Sequence, residues 1–342
     1  MIVLKMKKDR NMKVRLLPWI ISIVFLIFIL TRLTEHEQIA HALSKSKWEW
    51  IVLALLFQCG FFLTIAKLYQ LSFRLVGVRR PFRKSLKLFF AGMFMNSITP
   101  SFGMAGATVY MKQARVEKHS VMRAVAGFLT ETLFQQVGFL VILILNLFVL
   151  MRNGNMIGET EIFIVTGIVI MIVVQIMFFI VSWLMPRTFG RFLHIFSFVG
   201  NWVSKRIRKK TIVSNKWSDN SASEMKAVVS EMIKKKGLFL ACVGLGVGME
   251  VFLLAMFQSL FFAFGEGLNF PAAVSGYVSG NVANSVLLGP YGVGVVEAGI
   301  TLILTHYGIA RGAAMLVAVV FRGYSFWIPF VLGFFSLRAA NL

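Results

Sequence analysis

Six stretches of this 342-residue chain are long, apolar and nearly free of charge: Leu16–Leu33, Trp48–Tyr69, Ala124–Leu150, Ile162–Met185, Leu238–Gly265 and Ala313–Leu337. A helix rises about 1.5 Å per residue, so about 20 residues cross the ~30 Å hydrocarbon layer of a bilayer. Each block is of that order. A large soluble core is the alternative, but 58% of the residues are hydrophobic and only 15% are charged. That is too little charge to clothe a soluble protein of this size. The sequence therefore predicts an all-α polytopic membrane protein, a single membrane domain over residues 1–342.

The formal net charge of +22 could suggest nucleic acid. Its placement argues for a different partner, an anionic membrane surface, because Lys and Arg fall in short segments between apolar blocks. No nucleic acid is expected. Six basic residues from Lys5 to Arg15 precede the first block, and seven from Lys67 to Lys87 follow the second with no acid among them. Twelve more fall in the basic loop 186–236, whereas the segments near Glu35, Glu159 and Glu266 are poor in Lys and Arg. The positive-inside rule makes the basic set cytoplasmic and places both termini there. No small-residue cleavage site follows Leu33, so the first block reads as an uncleaved helix rather than a signal peptide. Within 186–236, Phe189, Phe192, Leu193 and Phe196 recur at helical spacing with basic flanks. An amphipathic helix on anionic lipid and a solvated basic loop both fit. Thr211–Ser223 reads as polar and flexible.

Two further apolar stretches, Leu86–Val109 and Phe270–Leu304, are broken by Gly and Pro. The first carries Asn96, Ser97, Pro100, Gly103 and Gly106; the second carries Asn284, Ser285, Pro290, Gly292 and Gly294. Glu131 follows Pro100 by 31 residues and Arg322 follows Pro290 by 32. The charge pattern has the first stretch dip in from the cytoplasm and the second from outside. Six full spans plus two re-entrant hairpins then form an inverted-topology repeat, about 16–150 and about 162–337. Secondary transporters are built this way, with sites near the midplane at broken helices. Backbone freed by Gly and Pro cannot face lipid, so it must face protein or a wet cavity.

Glu131, Glu250, Glu297 and Arg322 fall within or beside apolar stretches. A charge at mid-span costs about 2.5–3.5 kcal/mol or more, so each needs a partner or water. One reading is a polar cavity that admits a lipid headgroup, with Arg322 as its phosphate-binding cation, because a guanidinium binds phosphate oxygens bidentately. The other is a structural ion pair between Glu131 and Arg322. Glu297 suits a cavity role on the return arm of the second hairpin. Glu250 lies among Gly244, Gly246 and Gly248 and fits a hydrogen bond across close-packed helices as well as a site. The translocation candidates are thus Arg322, Glu297, Glu131, Asn96, Pro100, Gly103, Asn284, Pro290, Gly292, Gly294 and Glu250. Cys59 and Cys242 lie in apolar blocks without metal-ligand spacing, and the five His residues form no metal motif. No phosphate-binding Gly-Lys loop or nucleophile elbow occurs. No metal, cofactor or catalytic residue is expected.

Asn96, Ser97, Pro100 and Gly103, the Glu131 span, the run Gly289, Pro290, Gly292, Gly294, Glu297, and Arg322 with Trp327 and Pro329 resemble the lysylphosphatidylglycerol synthase transmembrane-region family. The resemblance covers about Pro18 to Leu337. It departs near the first break, where the family often has Gly-Glu and then Arg, and where Ala105, Gly106, Ala107 and Tyr110 stand here. The resemblance implies a bacterial plasma-membrane protein that flips an aminoacylated phospholipid, with a link to resistance against cationic peptides. It implies no lysyltransferase activity, because the cytosolic synthase domain of larger members is not seen before Leu342. The leading expectation is a translocator for an aminoacylated phospholipid or a polyprenyl-linked lipid. The rivals are a scaffold for a separate synthase or glycosyltransferase and a membrane-embedded lipid transferase. The sequence allows a homodimer.

Overall fold

A computed structural model of the chain describes residues 44, 46–99, 104–152, 159–208, 217–286 and 294–339. The block Leu16–Leu33 and the breaks at Pro100, Gly103, Pro290 and Gly292 lie outside the described residues. Every described element is helical. In chain order they are α1 (Trp48–Leu75), α2 (Phe82–Ile98), α3 (Met104–Val116), α4 (Val121–Arg152), α5 (Glu159–Leu184), α6 (Pro186–Arg208), α7 (Trp217–Ile233), α8 (Lys236–Ala263), α9 (Phe270–Val286), α10 (Val295–His306) and α11 (Arg311–Arg322). A π-helical turn, Gly323–Trp327, then leads into α12 (Ile328–Ala339). Among the described residues five helices are long and apolar enough to cross a membrane: α1, α4, α5, α8 and the run Arg311–Ala339. The chain is a multi-pass membrane protein.

Helices α1 and α8 form the axis of the bundle and run antiparallel. At one end the Lys47 amide donates to the Ala263 carbonyl at 2.8 Å. At the other the Lys235 ammonium donates to the Arg74 carbonyl at 2.9 Å. Small residues set the closest approaches. A Cβ on Gly138 of α4 would meet the Gly246 carbonyl of α8, and one on Gly246 would meet the Phe134 carbonyl. Without a hydrophobic force between helices in lipid, such backbone contact is a main source of association.

Helices α2 and α3 pack as an antiparallel pair, as do α9 and α10. The Tyr110 hydroxyl of α3 donates to the Leu88 carbonyl of α2 at 3.2 Å, and Gly280 of α9 faces Ile300 and Val296 of α10. Each pair also leans on a long helix from the other half of the chain. Phe94 of α2 meets Phe330 of α12 with ring centroids 5.0 Å apart, and Ser275 of α9 donates to Asn146 of α4 at 2.9 Å.

The segment 186–236 is not a plain loop. Most of it forms α6 and α7. Residues 217–223, expected to be flexible, open α7, because Ser218, Ser221, Ala222, Met225, Val228 and Val229 recur at helical spacing and are buried. On α6, Phe189 and Leu193 are buried while Phe192, Ile195 and Phe198 are exposed. Phe189 packs against Phe178 of α5 at 5.0 Å between centroids. The solvated-loop alternative is set aside by this helix. Of the two cysteines only Cys242 is buried; Cys59 faces outward.

The basic segments on either side of α1 and α8 meet at one end of the bundle. Arg123 pairs with Glu231 at 3.2 Å and with Glu224 at 3.8 Å. Near them Arg80, almost fully buried, pairs with Glu117 at 2.9 Å, and Lys84 pairs with the same carboxylate. Burial raises the Glu117 carboxyl, but the hydrogen bonds from Lys84 and Gln113 and the charge of Arg80 outweigh it and hold its pKa below the ordinary value.

Candidate functional site

Arg322 ends α11, twelve residues into the last span. At about 1.5 Å per residue this lies roughly 17 Å along the helix, near mid-span. The side chain is buried, with the residue 3% exposed, and needs a counter-charge. Glu297 supplies it. Arg322 Nε donates to Glu297 Oε1 at 3.3 Å, and Glu297 is itself 6% exposed. The other carboxylate oxygen accepts the Gly294 amide at 2.7 Å. Gly294 has φ +89°, a left-handed conformation that glycine adopts without strain. This bond satisfies an otherwise orphaned N–H at the start of α10 and places a carboxylate at the positive end of that helix. Glu297 thereby ties the return arm of the second hairpin to the last span.

The π-helical turn begins at the residue after Arg322. Such turns inside α-helices are frequent at functional sites. Here it turns Phe326 and Trp327 inward, where they pack with Phe94 and Phe330. The Arg322 guanidinium carbon lies 4.7 Å from the Phe326 ring centroid, so the ring face adds a second favourable contact to the charge.

Polar atoms without partners among the described residues lie on the elements packed around this pair. They are Asn284 Oδ1 on α9, both amide atoms of Gln258 on α8, and Ser325 Oγ on the π turn. A buried polar atom without a hydrogen bond costs about 1–3 kcal/mol. These side chains put polar groups on the helices that flank the pair.

Glu131 is not part of this cluster. The structural ion pair between Glu131 and Arg322 is therefore not formed, because Glu131 faces α1 and α3 whereas Arg322 faces α10. Glu131 is 0% exposed. Neither of its oxygens has a hydrogen bond of good geometry among the described residues, although Tyr69 and Tyr110 lie close enough to interact electrostatically. Those two rings stack at 5.2 Å between centroids. Glu250 is held differently again, by the Tyr277 hydroxyl, which donates to it at 2.5 Å. Asn96 accepts the Gly106 amide at 2.5 Å across the first hairpin.

The sequence residues thus resolve into four places: Arg322, Glu297 and Gly294 together; Glu250 with Tyr277; Glu131 with Tyr69 and Tyr110; Asn96 with Gly106. Sequence reading missed Tyr277, the two stacked tyrosines and the π turn. A tyrosine inside an apolar run is a weak signal alone. Seven residues on from Glu250, α8 also carries Phe257, which packs against Tyr277, so a pairing between the two helices left no mark in local spacing.

No curated protein matches the chain. The family model described as "Lysylphosphatidylglycerol synthase TM region" matches residues 16–333, which includes every residue of the Arg322 cluster, and the chain belongs to that family.

Proposed function

We propose that the protein is a lipid translocator that moves a phosphate-bearing headgroup, such as that of an aminoacylated phospholipid, between leaflets of a bacterial plasma membrane. The observation that carries this reading is the buried Arg322–Glu297 pair at the junction of a hairpin and a π turn. A permanent cation at mid-depth is costly, and Arg322 meets Glu297 through its Nε at 3.3 Å. A phosphodiester can compete for such a guanidinium bidentately. Glu297 then engages the cationic or hydroxylated part of the headgroup, and the tails remain in lipid.

An inverted-topology repeat supplies the moving parts. The helix lengths 28, 17 and 13 residues of α1, α2 and α3 recur as 28, 17 and 12 in α8, α9 and α10. Gly92 and Gly280 occupy the eleventh position of their 17-residue helices, and Asn96 and Asn284 the fifteenth. With 13 and 12 residues, α3 and α10 reach only about 18–20 Å, short of a ~30 Å crossing, which supports re-entrant hairpins. The basic end of the bundle is read as cytoplasmic. Rocking of one half against the other about α1 and α8 would expose the Arg322 cluster alternately to each side.

The test is headgroup transfer in liposomes that contain the purified protein and a fluorescent or lysylated phosphatidylglycerol. Headgroups should become accessible on the far side with the lipid chemically unchanged. A covalent change in the lipid would replace this reading with that of a transferase.

A further inference from the structure

We propose that a pocket at the basic end of the α1–α8 pair binds the phosphodiester headgroup of an anionic phospholipid, separately from the Arg322 cluster. The pocket encloses about 520 Å³ between the C-terminus of α1 and the N-terminus of α8. Arg74, Arg79, Lys234, Lys235 and Lys236 line it, with Glu231 the one acidic residue among the lining residues. None of the Arg322 cluster does.

The internal charges of the pocket are already assigned. The Lys235 ammonium donates to Glu231 at 2.7 Å and to the Arg74 and Leu75 carbonyls at 2.9 and 3.2 Å. It therefore caps the C-terminal carbonyls of α1 and welds that end to α8. Arg123 holds the second oxygen of Glu231 at 3.2 Å and donates to the Val76 carbonyl at 2.7 Å. The bond from Lys235, joined by that from Arg123 and by both positive charges, outweighs the effect of burial and keeps the Glu231 carboxyl below its ordinary pKa. At neutral pH this acid is ionised and fully engaged by two cations. Gly77, with φ +81°, leaves room for them, since a Cβ there would run into Arg123 and Glu231.

Arg74, Arg79, Lys234 and Lys236 remain. They are exposed, and none of them forms a salt bridge with a described carboxylate. Four cations around one cavity, with its acid already neutralised, make an anion site. The apolar surroundings select a lipid over a free anion. Leu238 lines the pocket, and Phe239 and Leu240, 44% and 71% exposed, continue along α8 toward the bilayer. A headgroup in the pocket would lay its acyl chains on these side chains. Basic pockets between membrane helices bind anionic headgroups in this way.

The test uses the full-length protein in phosphatidylcholine nanodiscs, with phosphatidylglycerol retention read by native mass spectrometry. The background is the double variant Glu297→Gln, Arg322→Gln, so the translocation cluster cannot contribute and no unpaired buried charge is left. Phosphatidylglycerol should be retained in that protein. It should be retained about tenfold or more weakly when Arg79→Gln, Lys234→Gln and Lys236→Gln are added. These are exposed positions, and an unchanged melting temperature confirms the fold. Equal retention with and without the three substitutions overturns the proposal. So does displacement of the lipid by millimolar inorganic phosphate, which would show a site for the free anion. Neither result bears on whether the protein translocates lipid.

Discussion

Arg322 and Glu297 are 25 residues apart in the chain and 3.3 Å apart in space, and the contact fastens the last span to the second hairpin. Removing one partner of a buried pair leaves an uncompensated charge and costs about 3–5 kcal/mol, whereas removing both is far better tolerated. Glu297→Gln should therefore lower stability markedly. The double variant Glu297→Gln, Arg322→Gln should recover most of the loss while staying inactive in transport. Thermal melting in detergent measures the first effect. Destabilisation of the double variant equal to the sum of the single losses would contradict the pairing.

Tyr277 holds Glu250 with a 2.5 Å hydrogen bond. Tyr277→Phe keeps the ring packing against Phe257 and Phe321 and removes only the donor. A loss of about 1–3 kcal/mol is expected from the orphaned acceptor, visible as a lower melting temperature. Glu250→Leu added to Tyr277→Phe should restore part of it.

Glu131 presents the opposite case. Neither of its oxygens has a good hydrogen bond among the described residues, so Glu131→Leu should raise stability or leave it unchanged. A substantial loss would mean that Tyr69 or Tyr110 holds the carboxyl more tightly than its geometry indicates. If Glu131 takes part in transport, the same variant will be stable and slow, which separates function from folding.

At the basic end, Glu117 and Glu231 both have lowered pKa values. A depressed carboxylate contributes stability that is fully present above its unfolded pKa, near 4.3. That stability is lost as pH falls through the folded value. Melting temperature should thus be flat near neutrality and fall on acidification below about pH 4.5. Glu117→Gln should flatten part of that fall and should also destabilise at pH 7, because buried Arg80 loses its partner. A melting curve over pH 3.5–7 for both proteins checks the sign.

How much of this was legible in the sequence varies with range. The spans were plain because twenty-residue apolarity is a local property, and α1, α4, α5, α8 and the last span begin within about three residues of the expected bounds. The Asn96/Asn284 correspondence was also visible and falls at the same position of two helices of equal length. The partner of Arg322 was not. The choice between Glu131 and Glu297 depends on which face of α11 meets α10, and residue spacing does not fix that face, although Pro329 stands just beyond the π turn that follows Arg322. Helix α7 was hidden for a different reason. In α7 the buried positions are Ser, Ala and Val as much as Leu-like residues, so the polar composition masked a regular packing stripe.

The most direct test of the central claim is the rate of headgroup transfer in liposomes for the wild type, for Arg322→Gln and for the Glu297→Gln, Arg322→Gln double variant. Rapid transfer by the wild type is expected, with transfer lost in both variants, including the double variant whose fold is retained. Transfer at the wild-type rate by a folded double variant would contradict the assignment of Arg322 and Glu297 as the headgroup site.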